Sequence, residues 1–503
     1  MSSYFTDLAQ QYIDGEWRPG TGSWDIIDFN PYDNEKLASI TIATVEEVDD
    51  AYRAAARAQK KWAGTNPYAR RSVFEKALRL IEEREGEIAE AIIAELGGTR
   101  LKAAFELHLA KEFLREAVNL ALRPEGRIIP SPVDGKENRV YRVPVGVVGV
   151  ISPFNFPFLL SIKSVAPALA LGNAVVLKPH QNTPIVGGSL VAKIFEDAGL
   201  PAGLLNVVIT DIAEIGDAFL EHPVPKVISF TGSDKVGRHV ATVCAAHFKR
   251  SVLELGGNSA LVVLDDADID YAVDAAVFSR YVHQGQVCMA ANRVLVDRTV
   301  AEEFTEKFVA KVKSLRTGDP RDPDTVIGPV INSSQAEAVS SAVEQAIADG
   351  ATALVHGSVT DNLVEPSVLT DLPRALAPPQ AGALRPGRPS RHLRRRGGGR
   401  PPGQRHALRP QRRRPHRGHR ARCRLRQADR HRHVPRQRRH RPRRADRPLR
   451  RREALRHRPP ERRHHAGLLH HHQVDLGPAR PEPLPVLIPH TTATTGPSGP
   501  NLS

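Results

Sequence analysis

Five short apolar runs between residues 145 and 254 leave few folds open to this chain, because a stretch with helical periodicity separates each from the next. The runs cover 145–151, 174–177, 205–209, 227–230 and 251–254, and the intervening stretches 162–171, 184–198, 212–222 and 235–248 are long enough for helices. Strands that alternate with helices give a doubly wound parallel sheet, since a parallel neighbour is reached only through a crossover. In such sheets ligands gather at the carboxyl ends of the strands. A second βα series starts near residue 259: a strand at 260–264, a helix at 270–282, a strand at 292–296, helices at 300–314 and 333–349, and a strand at 353–355. Its pattern holds through 363–369. Upstream, short strands at 11–17 and 26–32 precede three predicted helices, at 44–58, 70–96 and 103–122. The polar, proline-containing stretch 126–138 reads as a hairpin or excursion.

Charge divides the chain as sharply as pattern does. The net charge is +15, yet residues 1–373 hold 36 basic and 50 acidic residues, while residues 374–503 hold 35 Arg, no Lys and 6 acidic residues. The first part is an ordinary acidic α/β protein. The second has no apolar periodicity and is expected to be disordered. An Arg-rich tail suggests polyanion binding, but this one lacks Lys and aromatic stacking residues, so no specific nucleic-acid partner is expected. The three cysteines, Cys244, Cys288 and Cys423, form neither a CxxC pair nor a zinc spacing, which points to a reducing compartment and no metal site. No basic-then-apolar signal pattern opens the chain, and a cytoplasmic location follows. The long apolar run 143–162 is broken by Pro144, Pro153, Asn155 and Pro157, and reads as a buried strand and turn, not a membrane span.

Several residues at or near strand ends carry chemistry. Phe230-Thr231-Gly232-Ser233, then Gly237, lies between a strand and a helix, where glycines let backbone N–H groups face an anion; a plain βα turn reads the same way. Lys178 can reach a ribose hydroxyl or a phosphate, or can be an ordinary solvated lysine. Asn155 in an apolar bend is a candidate oxyanion donor, or an asparagine bonding its own turn. Cys288 follows His283-Gln284-Gly285-Gln286-Val287 and is either a nucleophile or a small core residue. Glu254, before Leu255-Gly256-Gly257-Asn258, is either a base or a surface carboxylate. A thiol and a carboxylate base suffice to make and hydrolyse an acyl-enzyme.

Taken together, Phe154-Asn155-Phe156-Pro157, Lys178-Pro179, Phe230-Thr231-Gly232-Ser233, Glu254-Leu255-Gly256-Gly257 and Gly285-Gln286-Val287-Cys288 resemble, in order and spacing, the NAD(P)-dependent aldehyde dehydrogenase superfamily. The resemblance covers residues 10–373, and the Met289-Ala290-Ala291-Asn292-Arg293 that follows the cysteine looks most like the benzaldehyde and vanillin dehydrogenase branch. It implies a cofactor domain of residues 1–125 and 140–258, an oligomerisation hairpin at 126–139, and a catalytic domain of 259–373 that is cut short. It implies a small aldehyde, an aromatic one by branch, as substrate, NAD as cofactor, and a homo-oligomer. Cys288 would attack the aldehyde, Asn155 would hold the oxyanion, and Glu254 would activate water. Ser152, Phe154, Lys178, Gln181, Phe230, Thr231, Gly232, Ser233, Gly237 and Leu255 would line the cofactor site. Gln181 stands where the family commonly has Glu on the ribose 2′-hydroxyl, so NADP is not excluded; Asn258 stands where Lys is usual. A semialdehyde oxidiser and a non-catalytic cofactor-binding relic share these motifs and are the competing readings.

The family's later Glu-containing motif, which grips the nicotinamide ribose, is missing from the letters of this chain. It reappears when allowed codons for residues 380–388 are read from their second base, as Lys-Gln-Glu-Leu-Phe-Gly-Pro-Val-Ala. The same shift over 448–459 and 470–475 permits two further family-like stretches. A one-base frame change between about residues 373 and 380 is therefore expected, with residues 374–503 an out-of-frame tail and the chain as it stands impaired in folding or activity.

Overall fold

The structure, a computed structural model, describes residues 4–371 and the backbone of a strand at Gly382–Gly387. The expectations for the rest of 374–503 fall outside the described residues. The five expected parallel strands are present. After a hairpin of β1 (Gln11–Ile13) and β2 (Glu16–Arg18) come β3 (Val147–Ile151), β4 (Ala174–Lys178), β5 (Leu205–Val207), β6 (Pro225–Gly232) and β7 (Arg250–Leu255). They form one sheet in the order β7-β6-β3-β4-β5-β1-β2. All neighbours from β7 to β5 are parallel, and the hairpin adds antiparallel at the far edge. The chain winds outward from β3 through β4 to β5, then returns to β6 and β7 on the other side. The winding reverses between β3 and β6, which is where a sheet of this kind leaves a crevice.

Apolar residues explain the burial. β3 and β4 are buried on both faces, as covered parallel strands must be. Gly149 in β3 lets the helix Val45–Ala63 close on the sheet: a Cβ there would lie 2.6 Å from the Tyr52 hydroxyl and 2.8 Å from Ile228 Cδ1. Tyr52 is fully buried, and its hydroxyl donates to the Phe219 carbonyl at 3.0 Å.

A second sheet begins at Ser259. It contains β8 (Ser259–Val263), β9 (Ala291–Asp297), β10 (Thr352–Val355), β11 (Val368–Thr370) and β12 (Gly382–Gly387), in the order β8-β9-β12-β11-β10. It has its own apolar core around Val273, Tyr281, Val294, Val296, Phe304 and Phe308. The expected excursion is a two-stranded ribbon, Arg127–Pro130 with Glu137–Val140, exposed along nearly its whole length. Among the described residues no helix is long and apolar enough to cross a membrane.

Two predicted helices are corrected. The stretch 70–96 is two helices, Pro67–Glu83 and Glu85–Leu96, broken at Arg84 with φ −106° and ψ 18°. Ile81 and Ile88 are both fully buried across the break, so the apolar period carries on although the backbone does not. The stretch 212–222 is two single turns, Ile212–Ile215 and Ala218–Glu221, separated by Gly216 at φ +50°.

Candidate active site

The parallel register brings the motif residues to one edge. Ile151 pairs with Lys178 and with Phe230, Thr231 with Glu254, and Gly232 with Leu255, so the chain leaves β3, β4, β6 and β7 on the same side of the sheet. A cavity of about 730 Å³ opens there. Ser152, Phe154, Asn155, Lys178, Gln181, Phe230, Thr231, Gly232, Ser233, Glu254, Leu255 and Cys288 all line it. Of the candidates only Gly237 does not. It is buried, and a Cβ on it would fall 2.3 Å from Leu255 Cδ2, which makes it a point of close helix–strand packing.

On the cofactor side Ser233 is the N-cap of the helix Asp234–Ala246, and its hydroxyl accepts the Val236 N–H at 3.4 Å. The first-turn N–H groups therefore stand at the cavity wall, where an anion is favoured. A Cβ at Gly232 would lie 2.5 Å from the Phe230 ring, so backbone can pass that ring only as glycine. The Lys178 ammonium is desolvated, which lowers its pKa, while Asp211 pulls the other way. His180, edge-on to Phe154 at 5.4 Å between centroids, is brought down to about 4 by burial and then by the Lys178 charge, so it is a neutral imidazole at neutral pH. Ser152 turns its hydroxyl inward, 2.6 Å from the Ser161 hydroxyl, which in turn donates to the Gly187 carbonyl. A cavity with a helix N-terminus, a lysine and backbone of low bulk fits a nicotinamide dinucleotide. Among the described residues no group of His, Cys, Asp and Glu is arranged to hold a metal ion.

On the chemical side Cys288 is a free, exposed thiol. The turn before it is unusual: His283, Gln284 and Gly285 all have left-handed backbone, with φ of 51°, 55° and 76°. Gly285 is required twice over, because a Cβ would also meet the Arg280 guanidinium at 2.7 Å. Asn155 Nδ2 donates to the Gln286 carbonyl at 2.9 Å, and Asn155 Oδ1 accepts the Phe156 N–H at 3.0 Å. The asparagine thus bonds its own turn and also reaches the loop of Cys288. An amide nitrogen carries two hydrogens, so one remains for an oxyanion.

The Glu254 loop lies against the same turn. A Cβ on Gly257 would sit 3.1 Å from the Cys288 carbonyl. Asn292 Nδ2 donates to the Gly257 carbonyl at 3.2 Å and Asn292 Oδ1 accepts from Arg280 Nη1 at 2.6 Å, while Arg293 Nη2 donates to the Asn258 carbonyl at 2.9 Å. The Asn292-Arg293 pair after the cysteine therefore ties the Glu254 loop to the Cys288 loop. Sequence reasoning missed Lys163, whose Nζ lies 3.4 Å from Glu254 Oε1 at the cavity wall. A lone lysine on a helix carries no signal that separates it from a solvated one.

A thiol, an amide donor and a carboxylate gathered at the crevice of a dinucleotide-type sheet define a cysteine-dependent dehydrogenase of the acyl-enzyme kind. Residues 17–378 match the aldehyde dehydrogenase family, and the chain belongs to that family. It is 58% identical over 368 residues to a benzaldehyde dehydrogenase, YfmT, of Bacillus subtilis (strain 168), a match that covers 73% of this chain and 76% of that protein. It is 49% identical over 368 residues to a vanillin dehydrogenase of Corynebacterium glutamicum, again 73% of this chain and 76% of the relative. The crystal structure of an NAD-dependent benzaldehyde dehydrogenase from Corynebacterium glutamicum superposes with a TM-score of 0.72 at 47% identity, over 75% of this chain and 84% of that one. Oxidation of aldehydes with a nicotinamide dinucleotide is the chemistry of the family.

Proposed function

We propose that this chain oxidises an aromatic aldehyde to its carboxylic acid with NAD, through Cys288. The observation that carries the reading is that the Cys288 thiol, the Asn155 amide and the Glu254 carboxylate line one cavity with a dinucleotide-type anion site. The thiolate of Cys288 adds to the carbonyl carbon. The oxyanion that forms takes the second Asn155 N–H and the Cys288 backbone N–H, where preorganised donors are worth most. A nicotinamide dinucleotide held at Lys178 and the Ser233 helix start would accept the hydride from that carbon and leave a thioester on Cys288. Glu254 accepts a proton from the water that hydrolyses the thioester, which releases the acid and restores the thiol. The aromatic preference is supported by the benzaldehyde and vanillin relatives.

The test is an NADH assay with benzaldehyde, vanillin and succinate semialdehyde, run with NAD and with NADP. Cys288→Ala should abolish turnover, and Glu254→Gln should give one burst of NADH followed by a rate lowered at least about 100-fold, in keeping with general-base catalysis. Turnover retained in Cys288→Ala would refute the assignment. The same reading places the protein in the cytoplasm and takes the ribbon Arg127–Pro130/Glu137–Val140 as a subunit contact.

We also propose the frame change near residue 373. The family match ends at residue 378, which supports it. The coding DNA, read one base on from the Gln380 codon, should spell Lys-Gln-Glu-Leu-Phe-Gly-Pro-Val-Ala; any other reading overturns it.

A further inference from the structure

Beneath the Asn155 bend lies a charged pair that the chemistry above does not use. Lys102 and Glu106, one turn apart on the helix Arg100–Leu120, form an ion pair with neither side chain exposed. Burying two charges is costly and is repaid only where geometry and further hydrogen bonds are good. The further bond is specific. Glu106 Oε1 accepts the backbone N–H of Leu159 at 3.1 Å, in the first turn of the helix Pro157–Ala170. That helix starts at Phe156, whose side chain offers no acceptor, so one of its orphan N–H groups is satisfied by a carboxylate from a neighbouring helix. Lys102 completes the arrangement from the other side, with its Nζ 4.6 Å from the centroid of the Phe156 ring.

Phe156 carries the contact on to the nucleophile. Its ring meets the His283 imidazole edge-on at 5.5 Å. His283 is 1% exposed, and its imidazole lies against the Gln284 side chain and the Asn155 backbone. It opens the left-handed turn that delivers Cys288. The bend with Asn155 and the turn with Gln286 thus rest on one ring, and that ring and the helix start behind it rest on Lys102 and Glu106.

We propose that Glu106 is a positioning residue for the reaction, with Lys102 the countercharge that lets it be buried: its bond to the Leu159 N–H sets the Asn155 amide against the Gln286–Cys288 turn. The pair touches neither aldehyde nor cofactor. Its effect belongs on the rate of the chemical step, where an error of about 1 Å can cost about 100-fold, and not on substrate affinity. This proposal rests on the dehydrogenase reading above.

Two double variants of the full chain separate positioning from mere burial. Lys102→Met/Glu106→Gln removes both charges and keeps an acceptor for the Leu159 N–H; Lys102→Met/Glu106→Leu removes the acceptor as well. The first should keep kcat within about threefold of the parent, and the second should lose about tenfold or more in kcat at an unchanged KM, measured well below both melting temperatures because an unpaired Leu159 N–H also lowers stability. Amide exchange over residues 283–289 should rise in the second variant and not in the first. Equal kcat or equal exchange in the two variants would overturn the proposal. Where the present chain forms no NADH, the kinetics are read on the frame-restored chain; no NADH from either chain sinks the dehydrogenase reading, and the exchange comparison still decides whether Glu106 holds the turn.

Discussion

Asp28→Asn should make the protein lose less stability as pH rises from 7 to 9. Glu95 is fully buried, and its carboxylate accepts the N–H groups of Ile185 and Val186 at 2.8 and 2.9 Å, just beyond the Lys178–Gln181 segment of the cofactor site. Burial still pushes Glu95 up to about 8, from 4.5. Asp28, 1% exposed, is pushed well above the usual carboxylate range by burial first and then by the Glu95 charge. An acid whose pKa is raised by folding contributes stability that is complete below its unfolded pKa and is lost as pH rises through the folded one. The buried His180 and His283 act in the opposite sense, since their lowered pKa values make stability rise with pH up to about 6.5. The informative window therefore starts at pH 7. From there to pH 9 Glu95 alone costs about 1.4 kcal/mol, and Asp28 acts in the same direction. At about 2–4 °C per kcal/mol the Glu95 share alone lowers the melting temperature of the parent by roughly 3–6 °C between pH 7 and pH 9. Asn at 28 cannot ionise, so the variant should fall by less than the parent. Other titrating groups cancel in the difference between the two proteins. Parallel melting curves from pH 7 to 9, or a steeper fall in the variant, would refute the reasoning.

Gly257→Ala should lower kcat about tenfold with little change in melting temperature, because its Cβ presses on the Cys288 carbonyl at 3.1 Å while the loop is otherwise exposed; steady-state kinetics beside a thermal melt checks both parts. Lys178→Met should raise the KM for NAD about tenfold and leave the KM for aldehyde unchanged, measured by NADH formation at varied cofactor. A chain with the reading frame restored after residue 373 should exceed the present chain in soluble yield and in NADH formation. Val252, Val262 and Leu264 are 51%, 58% and 47% exposed in the present chain, and covering such surface is worth roughly 25 cal/mol per Å². Equal yield and activity in the two chains would refute that account.

The sheet was legible because its strands are apolar on both faces and its helices follow one after another, so β3 to β7 fall within two residues of where pattern alone puts them. The site was legible because parallel register turns four separate strand ends into one edge. What stayed hidden has physical causes. Arg84 breaks a helix without breaking its apolar period. Gly216 was visible as a residue, but its left-handed angle was not. Nothing in a Lys and a Glu four apart marks them as buried, and only the packing of two helices shows that both are. Glycine serves close packing and ligand approach alike, and only the structure shows how tightly Gly237 packs on Leu255.

The turn from His283 to Gly285 has a further consequence. Two of its three left-handed residues carry side chains, and each costs of order 1–3 kcal/mol to hold there. Cut out as a peptide, the segment would relax to ordinary right-handed or extended backbone and carry its sulfur elsewhere. The aim of the thiol is thus a property of the whole assembly, lent to a few residues by everything packed around them. Chemistry borrowed in this way should vanish early on heating, before the bulk of the helices melts.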